Sequence, residues 1–157
     1  MGIAGTRFTI QEMRKQVVNG RMDPRLIELC GQIIKGVPAK DYEGEAKAIF
    51  DWVKANIRYT RDPNGVELIQ APLVTVRRGA GDCDDHAVLL CALCESCGMR
   101  TGFETVRADS TAPDLFSHVY SIVGTNNGWR ALDTTVQSSY FGWRPTAGVY
   151  GSKIWLF

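Results

Sequence analysis

Apolar positions follow a helical spacing through the first half of the chain and become strand-like in the last third. Thr9-Ile10-Gln11-Glu12-Met13 opens a predicted helix, with Thr9 and Glu12 at capping-box spacing and Gly20 near its end. Asp23-Pro24 starts a second, with proline at the first helical position and Leu26, Leu29, Cys30 and Ile33 along it. Asp41 opens a third, which carries Ala46, Ile49, Phe50 and Val53 to Asn56. Ile57 to Thr60 reads as a short extended piece, and Asp62-Pro63-Asn64-Gly65 as a turn. A further helix runs from Cys83 to about Cys97 and is ended by Gly98. It is apolar nearly all round, as a helix buried between layers should be. Beyond it Gly102 to Ala108, Phe116 to Val123, Trp129 to Val136 and Lys153 to Leu156 read as strands. Helices first and antiparallel strands later indicate an α+β fold.

Composition narrows the field. The 157 residues, 45% of them hydrophobic, predict a single domain over 1–157 that buries a core without staples. Net charge +1 and pI ≈ 7.6 give no electrostatic case for nucleic acid or an acidic membrane surface. No apolar run reaches the ~18 residues of a spanning helix, and no signal peptide opens the chain. No membrane partner and a cytoplasmic location are therefore expected. Met1-Gly2-Ile3-Ala4-Gly5-Thr6 fits the myristoylation pattern, but nothing polybasic supports it and a disordered start is the plainer reading. Five cysteines without a leader imply a reducing compartment, and an odd count cannot pair off completely. Cys91, Cys94 and Cys97 form C-x2-C-x2-C, but Gly98-Met99-Arg100-Thr101-Gly102 then departs from the ferredoxin-type run, which would continue x3-C-P. At ~100° per residue Cys83, Ala87, Leu90, Cys94 and Cys97 share a helix face, with Cys91 at its edge. Core packing explains them, and no metal is assigned.

The candidate chemistry lies in Gly79-Ala80-Gly81-Asp82-Cys83-Asp84-Asp85-His86. Cys83 comes after a Gly-rich turn and falls in the first turn of the apolar helix. Unpaired N–H groups there, and about half a positive charge, favour thiolate over thiol. Asp82 is placed to cap that helix, with Asp85 as its capping-box partner. A structural cysteine needs no such seat, so Cys83 is read as a nucleophile, although the neighbouring aspartates oppose its ionisation. Only two histidines exist to serve it. His86 stands about 300° around the helix from Cys83, beside two aspartates, and reads as a solvated or salt-bridged surface residue. His118, on the predicted strand Phe116–Val123, is the candidate base. The turn after that strand admits two registers. A four-residue loop, Gly124 to Asn127, sets Asp133 opposite His118, whereas a two-residue Asn127-Gly128 turn sets Gln137 there. Either orients the imidazole; the carboxylate is the stronger choice because it also stabilises the imidazolium.

Cysteine at a helix start, histidine on a strand and aspartate on the next strand resemble the transglutaminase-like superfamily of papain-type thiol enzymes. Upstream, Ala48-Ile49-Phe50-Asp51-Trp52-Val53, Ile57-Arg58-Tyr59, Asp62-Pro63, Gly81-Asp82-Cys83-Asp84-Asp85 and Gly98-Met99-Arg100 stand in family order. The matches run from about Glu45 to Asp133, and the core motifs occupy about 45–136. The resemblance implies a papain/transglutaminase-like core, a Cys83–His118–Asp133 catalytic set, no cofactor, and acyl transfer on a protein or peptide substrate. Small stand-alone copies resemble bacterial and phage forms, for which hydrolysis of a peptide, isopeptide or other amide bond is expected, in host cytoplasm or virion if phage-encoded. A protein-crosslinking transglutaminase and a non-catalytic binding or virion-assembly module are the alternatives. Papain-type sites usually add a side-chain donor to the nucleophile's N–H. Gln70, just before Ala71-Pro72, is the candidate for that oxyanion hole and Tyr59 the second choice. Asp82 and Asp84 also resemble the acidic pair by which some bacterial relatives hold calcium, but few of the roughly six to eight oxygens it takes can be named. Tyr140, Phe141 and Trp143 read either as shaping a cleft or as covering the sheet.

Overall fold

Three helices lead the chain: α1 (Ile3–Arg21), α2 (Pro24–Ile33) and α3 (Tyr42–Asn56). Then come β1 (Arg58–Tyr59), α4 (Pro72–Arg78), β2 (Ala80–Gly81) and the central helix α5 (Cys83–Ser96). The strands β3 (Thr101–Arg107), β4 (His118–Thr125), β5 (Gly128–Leu132) and β6 (Gly151–Leu156) complete it. This is a computed structural model that describes residues 3–61, 69–146 and 148–157. The predicted Asp62–Gly65 turn and Met1-Gly2 lie outside the described residues.

The helix caps obey local chemistry. Asp23 Oδ1 accepts from Arg25 N at 2.9 Å with Pro24 behind it, and Asp41 Oδ1 accepts from Gly44 N at 2.9 Å. The predicted cap at Thr9 is corrected: α1 begins six residues earlier, and Thr9 Oγ1 donates back to Gly5 O at 3.2 Å from inside the helix. The predicted extended piece at Ile57–Thr60 is β1; new relative to the pattern are α4 and β2, which runs parallel to β1 with Tyr59 on Gly81. α4 has Pro72 at its first turn and ends on Gly79 in the left-handed region (φ 63°), where glycine carries no Cβ penalty.

The four long strands form one antiparallel sheet in the order β5-β4-β3-β6. Its inner face sends Phe103, Val119 and Val123 against α5, which is buried continuously from Asp85 to Cys94. α1, α2 and α3 close the other side of α5 with Met13, Val17, Leu26, Ile49, Phe50 and Val53. Each such side chain contributes about 1.5–3 kcal/mol on leaving water. Glu95 fastens α5 to α1 and β3: Arg21 Nη1 donates to it at 2.6 Å, Thr101 Oγ1 at 2.6 Å, and Arg14 joins them. The outer face carries a smaller cluster of Val106, Tyr120, Ile122 and Ala131. Cys91 and Cys94 are buried thiols, whereas Cys97 is not a packed thiol as expected: it forms a disulfide with Cys30 of α2. Among the described residues no helix is long and apolar enough to cross a membrane.

Candidate active site

Cys83 begins α5, and the chain around it is held by reciprocal hydrogen bonds. Asp82 Oδ1 accepts from Asp85 N at 3.1 Å, and Asp85 Oδ2 accepts from Asp82 N at 3.1 Å. Asp85 Oδ1 also accepts from Gln70 N at 2.8 Å, so one buried carboxylate ties the helix start to the residues just before α4. Gly81 permits this closure: a Cβ there would stand 2.6 Å from Asp85 Cβ and 3.1 Å from Gln70 Nε2. The Cys83 side chain is half-buried, and its thiol donates to Asp84 Oδ1 at 3.7 Å. Burial, with Asp84 and Asp82 adding to it, pushes the thiol pKa well up, while the Val119 backbone N–H pulls the other way. Val119, whose N–H reaches the thiol, is the residue after His118 on β4.

His118 opens β4, and its Nε2 lies 2.7 Å from Asp133 Oδ2. A carboxylate only accepts, so Nε2 carries the proton and Nδ1 is the nitrogen with a lone pair to offer. Asp133 is 1% exposed. Its other oxygen accepts from Thr135 N at 3.1 Å and Thr135 Oγ1 at 2.7 Å. Burial works to raise its pKa, but the His118 hydrogen bond and charge and the Thr135 donors prevail and hold it below the ordinary value.

Neither predicted register is the one observed. β4 pairs Ser121 with Leu132 and Thr125 with Gly128, around Asn126-Asn127, so no residue of the β5 ladder faces His118. The reason is tertiary. Asn126 Oδ1 accepts from Tyr42 N at 2.7 Å and its Nδ2 donates to Lys40 O at 3.2 Å, so the hairpin tip caps α3. The shift is by two residues, which keeps every side chain on its face. Asp133 therefore remains a diagonal neighbour of His118.

Two readings are corrected. Gln70 is buried, and its amide is committed elsewhere: Nε2 donates to Thr75 Oγ1 at 3.3 Å and Ala80 O at 3.2 Å, and Oε1 accepts from Arg78. It braces the turn before Cys83 rather than facing a substrate. Tyr59, the second choice, is 43% exposed on β1 beside Gly81. His86 is not a surface residue but 1% exposed. Its Nδ1 lies 2.7 Å from Thr134 Oγ1 and its Nε2 3.5 Å from Arg58 O, and burial lowers its pKa. A neutral ring donating from Nε2 to the carbonyl and accepting at Nδ1 satisfies both contacts. His86 thereby pins Thr134, the residue after Asp133, to the helix that bears Cys83. Its continuously apolar surroundings, Ala87 to Cys94, were the signal for burial.

Asp82 is used in the capping box and Asp84 stands by the thiol. Among the described residues no group of three His, Cys, Asp or Glu is placed to hold a metal ion.

The model of the transglutaminase-like superfamily matches residues 28–134. The chain belongs to that superfamily. No curated protein matches the sequence. Among solved structures it is similar to a candidate protease from Parabacteroides distasonis (TM-score 0.63, 10% identity), covering 80% of this chain and 26% of that one. It is also similar to a candidate cysteine protease from Cytophaga hutchinsonii (TM-score 0.58, 21% identity, 82% and 42% covered). The chain thus spans less than half the length of either. Calcium-bound LapG of Legionella pneumophila matches over more of its length (TM-score 0.57, 16% identity, 94% and 87% covered).

Proposed function

We propose that this chain is a thiol hydrolase that cleaves an amide bond of a peptide or protein through an acyl-enzyme. The observation that carries the reading is the His118 Nε2–Asp133 Oδ2 hydrogen bond of 2.7 Å on the strand whose next residue, Val119, bonds through its backbone to Cys83 at a capped helix start. The superfamily, and similarity to a candidate cysteine protease, support it. His118 Nδ1 takes the thiol proton as Cys83 Sγ attacks the carbonyl carbon. The Cys83 backbone N–H, which has no intrahelical partner at the first helical position, receives the oxyanion. Asp133 keeps the imidazole in the right tautomer and stabilises the imidazolium. On collapse the C–N bond breaks, and His118 returns its proton to the leaving amine. Water then attacks the thioester with His118 as base, releasing the carboxylic acid and restoring the thiol.

Incubating the protein with a complex peptide mixture, with and without an added primary amine, tests this by mass spectrometry. New carboxyl termini or deamidated side chains are expected, with an acyl adduct on Cys83. Amine incorporation in place of hydrolysis would favour cross-linking chemistry. Cys83→Ala should abolish the products, and Asp133→Asn should retain the fold yet lower turnover by about 10⁴, as in serine triads. Turnover that survives Cys83→Ala would defeat the reading.

A further inference from the structure

The outer face of the sheet continues the candidate site in a direction the triad does not use. His118, Tyr120 and Asp133 sit there together, the His118 and Tyr120 rings 6.1 Å apart. Tyr120 bonds to Glu104 of β3, which is 5% exposed and whose Oε2 has no hydrogen-bond partner. Arg144 reaches over the same place: its Nη1 is 3.6 Å from Glu104 Oε2, too long for a hydrogen bond, with 44% of its side chain exposed. Glu104 therefore orients the guanidinium by charge while leaving its N–H donors uncommitted to that carboxylate.

Arg144 also lines a hollow of about 370 Å³ beside β5, together with Trp129, Arg130, Tyr140 and Phe141. Gly142 N donates to Ala131 O at 3.0 Å and seats this wall against the strand that leads to Asp133. Tyr140 is 65% exposed and Trp129 38%, so two rings face outward. Arg130 is already spent: its Nε donates to Glu43 Oε1 at 2.6 Å, which with Asn127 and Thr125 holds Glu43 below its ordinary pKa. That pair closes on itself through a short hydrogen bond, whereas Arg144 meets Glu104 at 3.6 Å, by charge and without a hydrogen bond, so its N–H donors are the ones the hollow offers to a second carboxylate.

We propose that this hollow is a substrate subsite in which Arg144 receives a carboxylate of the peptide, flanked by Trp129 and Tyr140. It rests on the hydrolase reading for its substrate class, but binding alone can test it. A guanidinium presents paired N–H donors matched to the two oxygens of a carboxylate, which a lysine ammonium does not. The carboxylate comes from an acidic side chain or from the peptide's own C-terminus.

The test uses Cys83→Ala protein, in which turnover is absent, and fluorescent octapeptides capped at both ends, with Glu or Gln walked through each position. Fluorescence polarisation should show about tenfold tighter binding of Glu over Gln at one position, a modest preference for one charge-assisted contact. A Gln peptide with a free C-terminus reads the other source and should gain the preference only if the hollow takes chain ends. Adding Arg144→Gln should reduce the preference to within about twofold, and Arg144→Lys should restore part of it. Arg144→Gln also removes the charge that faces buried Glu104, so melting curves are recorded for each variant and binding is compared well below the lowest of them. No carboxylate preference from either source, or one that persists in Arg144→Gln, would overturn the subsite. Loss of hydrolysis by wild-type protein with the preference intact would count against the hydrolase reading alone.

Discussion

At the scale of single residues, the reactivity of Cys83 is set by opposed local charges. The helix start and the Val119 N–H favour the thiolate; burial and the Asp84 and Asp82 carboxylates disfavour it and prevail. Removing the Asp84 charge should therefore lower the thiol pKa. Asp84→Asn should shift the pH profile of iodoacetamide alkylation toward lower pH and speed the reaction at pH 7.5; a slower or unchanged rate would mean that the carboxylate assists. Cys83 should still be the first free thiol alkylated, since Cys91 and Cys94 are buried. The Gly81-Asp82-Cys83 seat was legible in the sequence because capping is a local affair between Asp82 and Asp85. Gln70 and His86 were not legible, because what decides a polar side chain's role is its distant partners. Arg78 and Ala80 claim one, Thr134 and Arg58 the other.

At the scale of elements, the strong periodic segments were predictable and the tertiary adjustments were not. α4 went unread because Val74, Thr75 and Val76 are β-branched and favour extension, whereas Pro72 and the left-handed Gly79 enforce one helical turn after another between them. The β4–β5 register escaped because Asn126 serves a helix elsewhere in the chain. Asn126→Ala should cost about 1 kcal/mol in chemical denaturation, the usual value of a lost cap, and leave the outer sheet face intact. α3 carries a second liability. Glu45 is 8% exposed, its Oε2 has no partner, and burial together with the Asp41 charge raises its pKa. The folded chain then keeps this proton longer than the unfolded chain. Its stability is fully present below the unfolded value near 4.5 and is lost as pH rises through the higher folded value. Glu45→Gln should raise stability at pH 7 by about 1 kcal/mol and flatten the profile above pH 4.5. Urea titrations across pH 4 to 8 measure both, and an unchanged slope would show that Glu45 is ionised without penalty.

At the scale of the molecule, α5 joins the two halves, with the candidate nucleophile at one end and Cys97 at the other. The α+β order of elements and the superfamily motifs were legible because both are written in local sequence; the cross-link was not, since spacing alone does not disclose which cysteines meet. Cys30 and Cys97 close a separation of 67 residues between α2 and the end of α5. In the chain-entropy account such a loop is worth about 4 kcal/mol through restriction of the unfolded state. In a domain of this size that corresponds to roughly 10 °C in melting temperature. Three thiols should titrate in denaturant without reductant and all five after it, because Cys83, Cys91 and Cys94 are the free ones. Reductant should lower the melting temperature of the wild type, and Cys97→Ser should show the same drop with no further response to reductant. Since Cys83 lies at the far end of α5 from Cys97, the alkylation rate of Cys83 below the melting temperature should be unchanged in that variant. Five titrating thiols before reduction, or a melting temperature indifferent to reductant, would remove the disulfide from the account of stability while leaving the His118–Asp133 pair where it stands.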